Sequence, residues 1–157
     1  MSNPGLNYAI AEGARGDRHL PAPTAKYIVV IDDSPTIRMI IEMALCRAGY
    51  QVMSFHDGFE VLKWFAQQGA RVPDLLVVDV ELPKVDGYEV IQRLRANPKL
   101  ANTQCIILSQ RDGVLDKVKG RLVGARAYIT KPFNIQELLA TVDACFTETT
   151  ANSPGGQ

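Results

Sequence analysis

Five polar side chains that could carry chemistry stand at, or just after, the ends of short apolar runs. They are Asp32, Asp33, Asp79, Ser109 and Lys131. Ligand sites in open α/β sheets form outside the carboxyl ends of the strands, so parallel strands would bring these side chains to one edge. Taken alone, Asp79 could equally be a turn cap, a role that aspartate often has.

These five side chains together suit the acceptance of a phosphoryl group. Three carboxylates at roughly 4 to 5 Å would repel one another by about 3 to 4 kcal/mol per pair at an effective dielectric of about 20. Mg²⁺ relieves such repulsion, because it binds carboxylates, waters and phosphate oxygens. With the Lys131 ammonium and the Ser109 hydroxyl beside it, the Asp79 carboxylate is predicted to be the nucleophile.

The elements that position these residues alternate five times between strand and helix patterns. The predicted strands are Tyr27–Ile31, Gln51–Phe55, Leu75–Asp79, Gln104–Ser109 and Ala127–Thr130. The predicted helices span about 35–48, 58–68, 88–97, 113–123 and 135–146, the second capped by Asp57 and the fourth by Asp112. Five βα units predict an α/β fold, a doubly wound parallel sheet with helices on both faces.

The fourth helix carries a regular apolar pattern of its own. Its apolar residues recur at spacings of three and four, a period typical of an amphipathic helix. They are Val114, Leu115, Val118, Leu122 and Val123.

Composition limits the classes of partner and the location. Lys plus Arg and Asp plus Glu number 17 each, so no net charge favours nucleic acid or an anionic membrane. No apolar run approaches the ~20 residues of a membrane span, and the N-terminus lacks an apolar signal region, so a cytoplasmic protein is predicted. Residues 1–25 are predicted to be a flexible arm and 148–157 a flexible tail around one domain, 26–147.

Residues 26–147 resemble the receiver domains of two-component response regulators, single-domain CheY-like proteins in particular. The resemblance implies the flavodoxin-like strand order 2-1-3-4-5. Four motifs carry it: Ile31-Asp32-Asp33-Ser34, Asp79 with Leu82-Pro83 and Asp86-Gly87-Tyr88-Glu89, Ser109, and Thr130-Lys131-Pro132-Phe133.

The resemblance also assigns roles around the acceptor Asp79. Asp33, Asp79 and the Glu81 backbone carbonyl would bind Mg²⁺, and Asp32 would act mainly through metal-bound water. Ser109 and Lys131 would each contact a phosphoryl oxygen.

Further roles follow for residues near these positions. Ser109 and Tyr128 would form a conformational switch, and the Lys131-Pro132 peptide bond would be cis. Glu81, Gln110 and Arg111 would modulate how long the phosphoryl group persists, and Glu81 and Arg111 could pair across the mouth of the site.

The function implied is that of a single-domain regulator. A CheA-like histidine kinase or a phosphotransfer protein would phosphorylate Asp79, and the signal would leave through a partner bound at the fourth helix, fifth strand and fifth helix. Such a protein is not an enzyme beyond catalysing its own phosphorylation and dephosphorylation. Segments 57–60 and 112–124 resemble PilG-type regulators of type IV pilus twitching motility, which are chemotaxis-like.

Two alternatives stay open beside this interpretation. One is a phosphorelay intermediate that passes the phosphoryl group onward. The other is an aspartyl-phosphate phosphatase of the haloacid dehalogenase kind, which uses similar groups in another chain order. The acidic pair Asp32-Asp33 comes first here, which favours the regulator.

Overall fold

The computed structural model describes residues 25–151 of the protein, with side chains described as far as Thr147. The predicted arm, apart from Ala25, and residues 152–157 of the predicted tail lie outside the described residues. Between 25 and 151, no helix is long and apolar enough to cross a membrane.

Five parallel strands form one sheet, and their ends align on one edge. The strands are β1 (Tyr27–Ile31), β2 (Gln51–Phe55), β3 (Leu75–Asp79), β4 (Gln104–Ser109) and β5 (Ala127–Thr130). Their order is β2-β1-β3-β4-β5, which confirms the predicted order 2-1-3-4-5. The register places Asp79 beside Leu108 and Ser109 beside Thr130, so the polar residues that end the strands lie side by side.

Helices cover both faces of this sheet, as the alternating pattern predicted. They are α1 (Pro35–Arg47), α2 (Gly58–Ala66), α3 (Gly87–Arg95), α4 (Val114–Leu122) and α5 (Ile135–Ala151), with a short 3₁₀ turn at Pro98–Leu100. Residues of α2 and α3 share one core cluster, and residues of α1 and α5 share the other. Successive strand residues point to opposite faces, so Val29 belongs to the first cluster and Ile28 to the second.

Side-chain caps begin the helices that follow the first three strands. Ser34 accepts a hydrogen bond from the Ile37 amide, and Pro35 occupies the first helical position. Asp57 caps α2 and Asp86 caps α3 in the same way, by accepting backbone N–H groups of the first turn. These caps hold the loops that shape the carboxyl edge of the sheet.

The fourth helix differs from its prediction at its cap, and its apolar residues lie mostly at the surface. Gly113, not Asp112, is the N-cap residue, and it provides no side-chain cap because glycine has none. The apolar stripe, which ordinarily faces the core, lies at the surface here: Val114, Leu115 and Leu122 are 79%, 83% and 81% exposed. Within α4, all of which is described, Gly120 is the one buried residue.

The last helix is longer than predicted. It runs to Ala151, although its end was predicted at Phe146 and a flexible tail from residue 148. No proline or glycine interrupts the chain between Phe146 and Pro154, so nothing in the local sequence stops the helix there.

Candidate functional site

The carboxyl edge of the sheet brings the predicted site residues together in one cleft. The Lys131 ammonium lies 2.9 Å from Asp32 Oδ2 and 3.1 Å from Asp79 Oδ2. The cleft has a volume of ≈ 890 Å³. Asp33, Glu81 and Gln110 also line it.

Backbone amides fix the second oxygen of each buried aspartate. Asp32 Oδ1 accepts from the Ser34 N–H at 2.9 Å, and Asp79 Oδ1 accepts from the Glu81 N–H at 2.8 Å. Both aspartates are buried, whereas Asp33 is exposed. Each buried carboxylate is therefore held in a defined orientation by one amide and one ammonium.

The acidic cluster fits a hard divalent cation. One carboxylate oxygen from each of Asp32, Asp33 and Asp79 lies within 4.8 Å of the others. Oxygen donors of this kind and charge are those that Mg²⁺ binds in proteins. Glu81, whose backbone carbonyl the resemblance adds to the ligands, lines the same cleft.

Burial and charge shift the pKa values of the two central groups upward. Burial raises the pKa of Asp79, and the nearby Asp32 charge adds to this, against the opposing effects of the Glu81 N–H and Lys131. Burial alone would lower the pKa of Lys131, but its hydrogen bonds and charge contacts with Asp32 and Asp79 hold that pKa above its ordinary value. The ammonium thus stays charged beside the Asp79 carboxylate.

The Ser109 hydroxyl lies at the end of β4 and is hydrogen-bonded on both sides. It donates to Glu81 Oε1 at 2.7 Å and accepts from the Arg111 N–H at 3.0 Å. Glu81 Oε1 also accepts from the Gln110 N–H at 2.8 Å. The Glu81 carboxylate is therefore bound to the loop that follows β4.

The predicted ion pair between Glu81 and Arg111 is wrong. Among the residues with described side chains, the ion pairs include no Glu81–Arg111 contact. The carboxylate is taken up by the nearer hydroxyl and amide donors of Ser109 and Gln110. The prediction rested on opposite charge, and it did not include Ser109 as a hydrogen-bond partner of Glu81.

Two tyrosines connect this region to the start of α4. The half-buried Tyr128 donates from its hydroxyl to the Arg111 carbonyl at 2.7 Å. Tyr88, for which no role at the site was predicted, donates to the Asp116 carbonyl at 3.2 Å. The Lys131–Pro132 peptide bond, also beside the cleft, is cis.

Comparison with curated proteins gives relatives at similar identity but of different length. The chain is 40% identical to Protein PilG of Pseudomonas aeruginosa over 117 residues, which is 74% of this chain and 84% of that protein. It is 40% identical to the transcriptional regulatory protein TrcR of Mycobacterium tuberculosis over 113 residues, 72% of this chain but 42% of TrcR. The chain thus spans most of PilG and less than half of TrcR.

Comparison with solved structures and protein families agrees with the fold. The chemotaxis response regulator CheY4 of Vibrio cholerae superimposes with a TM-score of 0.72 at 31% identity, covering 78% of this chain and 99% of CheY4. Residues 28–143 match the response regulator receiver domain, and the two aspartates joined by Lys131 lie inside this range. The chain therefore belongs to the response regulator receiver family.

Proposed function

We propose that Asp79 is the acceptor of a phosphoryl group donated by a phosphohistidine of a histidine kinase or a phosphotransfer protein. The observation that carries the proposal is the placement of Asp79 Oδ2 at the end of β3, 3.1 Å from the Lys131 ammonium and beside Asp32 and Asp33. A carboxylate oxygen of Asp79 attacks phosphorus and forms the new O–P bond. The N–P bond breaks, and the histidine nitrogen leaves with the electron pair.

The neighbouring side chains each contribute one part of this transfer. Asp32, Asp33 and Asp79 would hold Mg²⁺, which when bound supplies positive charge for the phosphoryl oxygens. The Lys131 ammonium stabilises charge on another phosphoryl oxygen, as fixed cations do in phosphoryl transfer. The Ser109 hydroxyl, buried at the end of β4, can donate to a third.

The output would be a change in partner binding at the α4 surface. We define this surface as the exposed residues Val114, Leu115, Val118 and Leu122 together with a groove of ≈ 430 Å³. Lys117, Arg121 and Arg126 line the groove. Apolar residues flanked by three cations are complementary to an apolar, acidic segment, so we propose a partner of that chemistry.

The likeness to PilG supports a role in control of type IV pilus twitching motility from the cytoplasm. In this role the protein catalyses only its own phosphorylation and dephosphorylation. Deletion of the gene in its source organism should abolish expansion of the twitching zone, and wild-type twitching of the deletion strain would contradict the motility role.

Phosphorylation is tested with acetyl phosphate and Mg²⁺, read as a mass increase of the intact protein. The wild type should be labelled and Asp79→Asn should not. Asp112→Asn, the same substitution at an exposed aspartate near the same edge, is the matched control and should label like wild type. Equal labelling of Asp79→Asn would show that the acceptor lies elsewhere.

Partner chemistry is tested with two synthetic amphipathic peptides that differ only in having glutamate or lysine on the polar face. Fluorescence anisotropy should show that the phosphorylated protein binds the glutamate peptide and that Arg121→Glu weakens this binding. Equal binding of the lysine peptide would exclude the charge complementarity of the groove.

A further inference from the structure

The Glu81 carboxylate accepts hydrogen bonds from groups beside Asp79, and one of them is the hydroxyl proposed to contact the phosphoryl group. One oxygen, Oε1, accepts both the Ser109 hydroxyl at 2.7 Å and the Gln110 amide at 2.8 Å. Ser109 is fully buried, and the Glu81 amide binds the acceptor Asp79. The same short segment therefore touches the acceptor with its backbone and the hydroxyl with its side chain.

A serine hydroxyl has one proton, so it donates to one acceptor at a time. The second position around the Ser109 oxygen is taken by the Arg111 N–H, which donates to it at 3.0 Å. While Ser109 donates to Glu81, it cannot also donate to an oxygen of a phosphoryl group on Asp79. A hydrogen bond to a carboxylate is roughly twice as strong as one between neutral groups, so this competition is a substantial one.

Charge makes the two arrangements still less compatible. A phosphoryl group brings close to two negative charges at neutral pH. If Glu81 kept its hydrogen bonds to Ser109 and Gln110, the phosphoryl charge would lie beside the Glu81 carboxylate in a partly buried cleft. Phosphorylation therefore favours departure of the Glu81 side chain from Ser109.

We propose that Glu81 is a positioning residue, an internal anion that holds the Ser109 hydroxyl until a phosphoryl group on Asp79 displaces it. This inference rests on the proposed function of Asp79. It makes Glu81 a competitor that lowers the affinity of the site for a phosphoryl-like anion.

The release of Glu81 would reach the switch through the loop after β4. Arg111 contacts Ser109 through its N–H and Tyr128 through its carbonyl, at 3.0 and 2.7 Å. When Ser109 changes its hydrogen-bond acceptor, the effect therefore reaches the Arg111 backbone, whose carbonyl accepts the Tyr128 hydroxyl.

The test uses beryllofluoride, a phosphoryl analogue that binds an aspartate carboxylate, at saturating Mg²⁺ and measured by titration calorimetry. Removing a charge-assisted competitor should tighten beryllofluoride binding about tenfold in Glu81→Ala. Glu81→Gln keeps a hydrogen-bond acceptor without the charge, so its affinity should fall between those of wild type and Glu81→Ala.

Loss of the Glu81 negative charge would by itself favour binding of the beryllofluoride anion. The same substitution in a Ser109→Ala background separates this effect from competition for the hydroxyl. In the Ser109→Ala background, Glu81→Ala should also tighten beryllofluoride binding, but the factor should be less than half of the factor found with Ser109 present. The same gain in both backgrounds, or no gain in either, would overturn the proposal.

A readout without Mg²⁺ tests the contact itself. Hydrogen exchange of the Gln110 amide, followed by NMR, should be slow in wild type and faster in Glu81→Ala, because the carboxylate that accepts this N–H is gone. Unchanged exchange would overturn the inference even where beryllofluoride fails to bind. Failure of wild type to bind beryllofluoride, with Gln110 exchange responding as expected, would instead count against the proposed function of Asp79.

Discussion

The helices α3 and α4 have nine residues each and apolar residues at helical spacing, but they use that spacing in opposite ways. In α3 the apolar residues pack into the core, and Val90, Ile91 and Leu94 are at most 2% exposed. In α4 the apolar stripe faces outward, and the buried residue is Gly120. Helical periodicity therefore shows that an apolar face exists but not what covers it. The exposed apolar face of α4 is the surface proposed above for partner binding.

The largest expected effect compares the same substitution in the two helices. Leu94→Ala in α3 removes a buried side chain and should lower the free energy of unfolding by about 2 to 5 kcal/mol. Leu115→Ala in α4, at 83% exposure, should change it by no more than about 0.5 kcal/mol. Urea unfolding of both variants measures the difference, and similar losses would mean that α4 supports the core as α3 does.

A second, smaller effect compares the glycines by which the two helices approach the sheet. A Cβ atom at Gly87 would lie 2.4 Å from the Asp79 carbonyl oxygen, which is backbone that cannot move aside. At Gly120 it would lie 3.1 Å from the Tyr128 ring and 3.2 Å from Ile107 Cδ1, which are side chains that can shift.

Overpacking therefore predicts a loss of about 1 to 3 kcal/mol for Gly87→Ala. Gly120→Ala should be close to neutral, because alanine favours a helix interior by about 1 kcal/mol over glycine, which offsets the tighter contact. Thermal unfolding of the two variants gives the comparison. A larger loss at Gly120 would show that α4 is packed more rigidly than its exposed stripe indicates.

The same contrast explains what the sequence could and could not predict. The strand β3 and its polar end were predictable, because an uninterrupted apolar run that begins at Leu75 stops at Asp79. Caps such as Asp57 were predictable for a local reason, since they bind amides three residues away. The outward face of α4 and the contact of Glu81 with Ser109 depend on elements distant in the chain, and no local pattern specifies them.

The smallest effect concerns Tyr88, which links the two helices directly. It belongs to α3, its hydroxyl donates to the Asp116 carbonyl of α4 at 3.2 Å, and the Lys119 ammonium lies 4.6 Å from the centre of its ring. Tyr88→Phe keeps the ring and removes the hydroxyl. At pH 7 the lost hydrogen bond should cost about 0.5 to 1.5 kcal/mol in the free energy of unfolding.

The pH dependence separates this bond from a general effect of the substitution. Burial raises the pKa of Tyr88 well above its ordinary 10.0, and the neighbouring Tyr128 and Asp116 add to the rise. Above pH 10 the unfolded tyrosine loses its proton while the folded one keeps it, so the stability that Tyr88 contributes falls as pH rises. Phenylalanine does not titrate, and the other titrating groups are common to both proteins. Urea unfolding at pH 7 and pH 11 should therefore show the advantage of wild type shrinking or reversing at the higher pH. An advantage that stays constant would mean that the hydroxyl is solvated and that α3 and α4 are not joined through it.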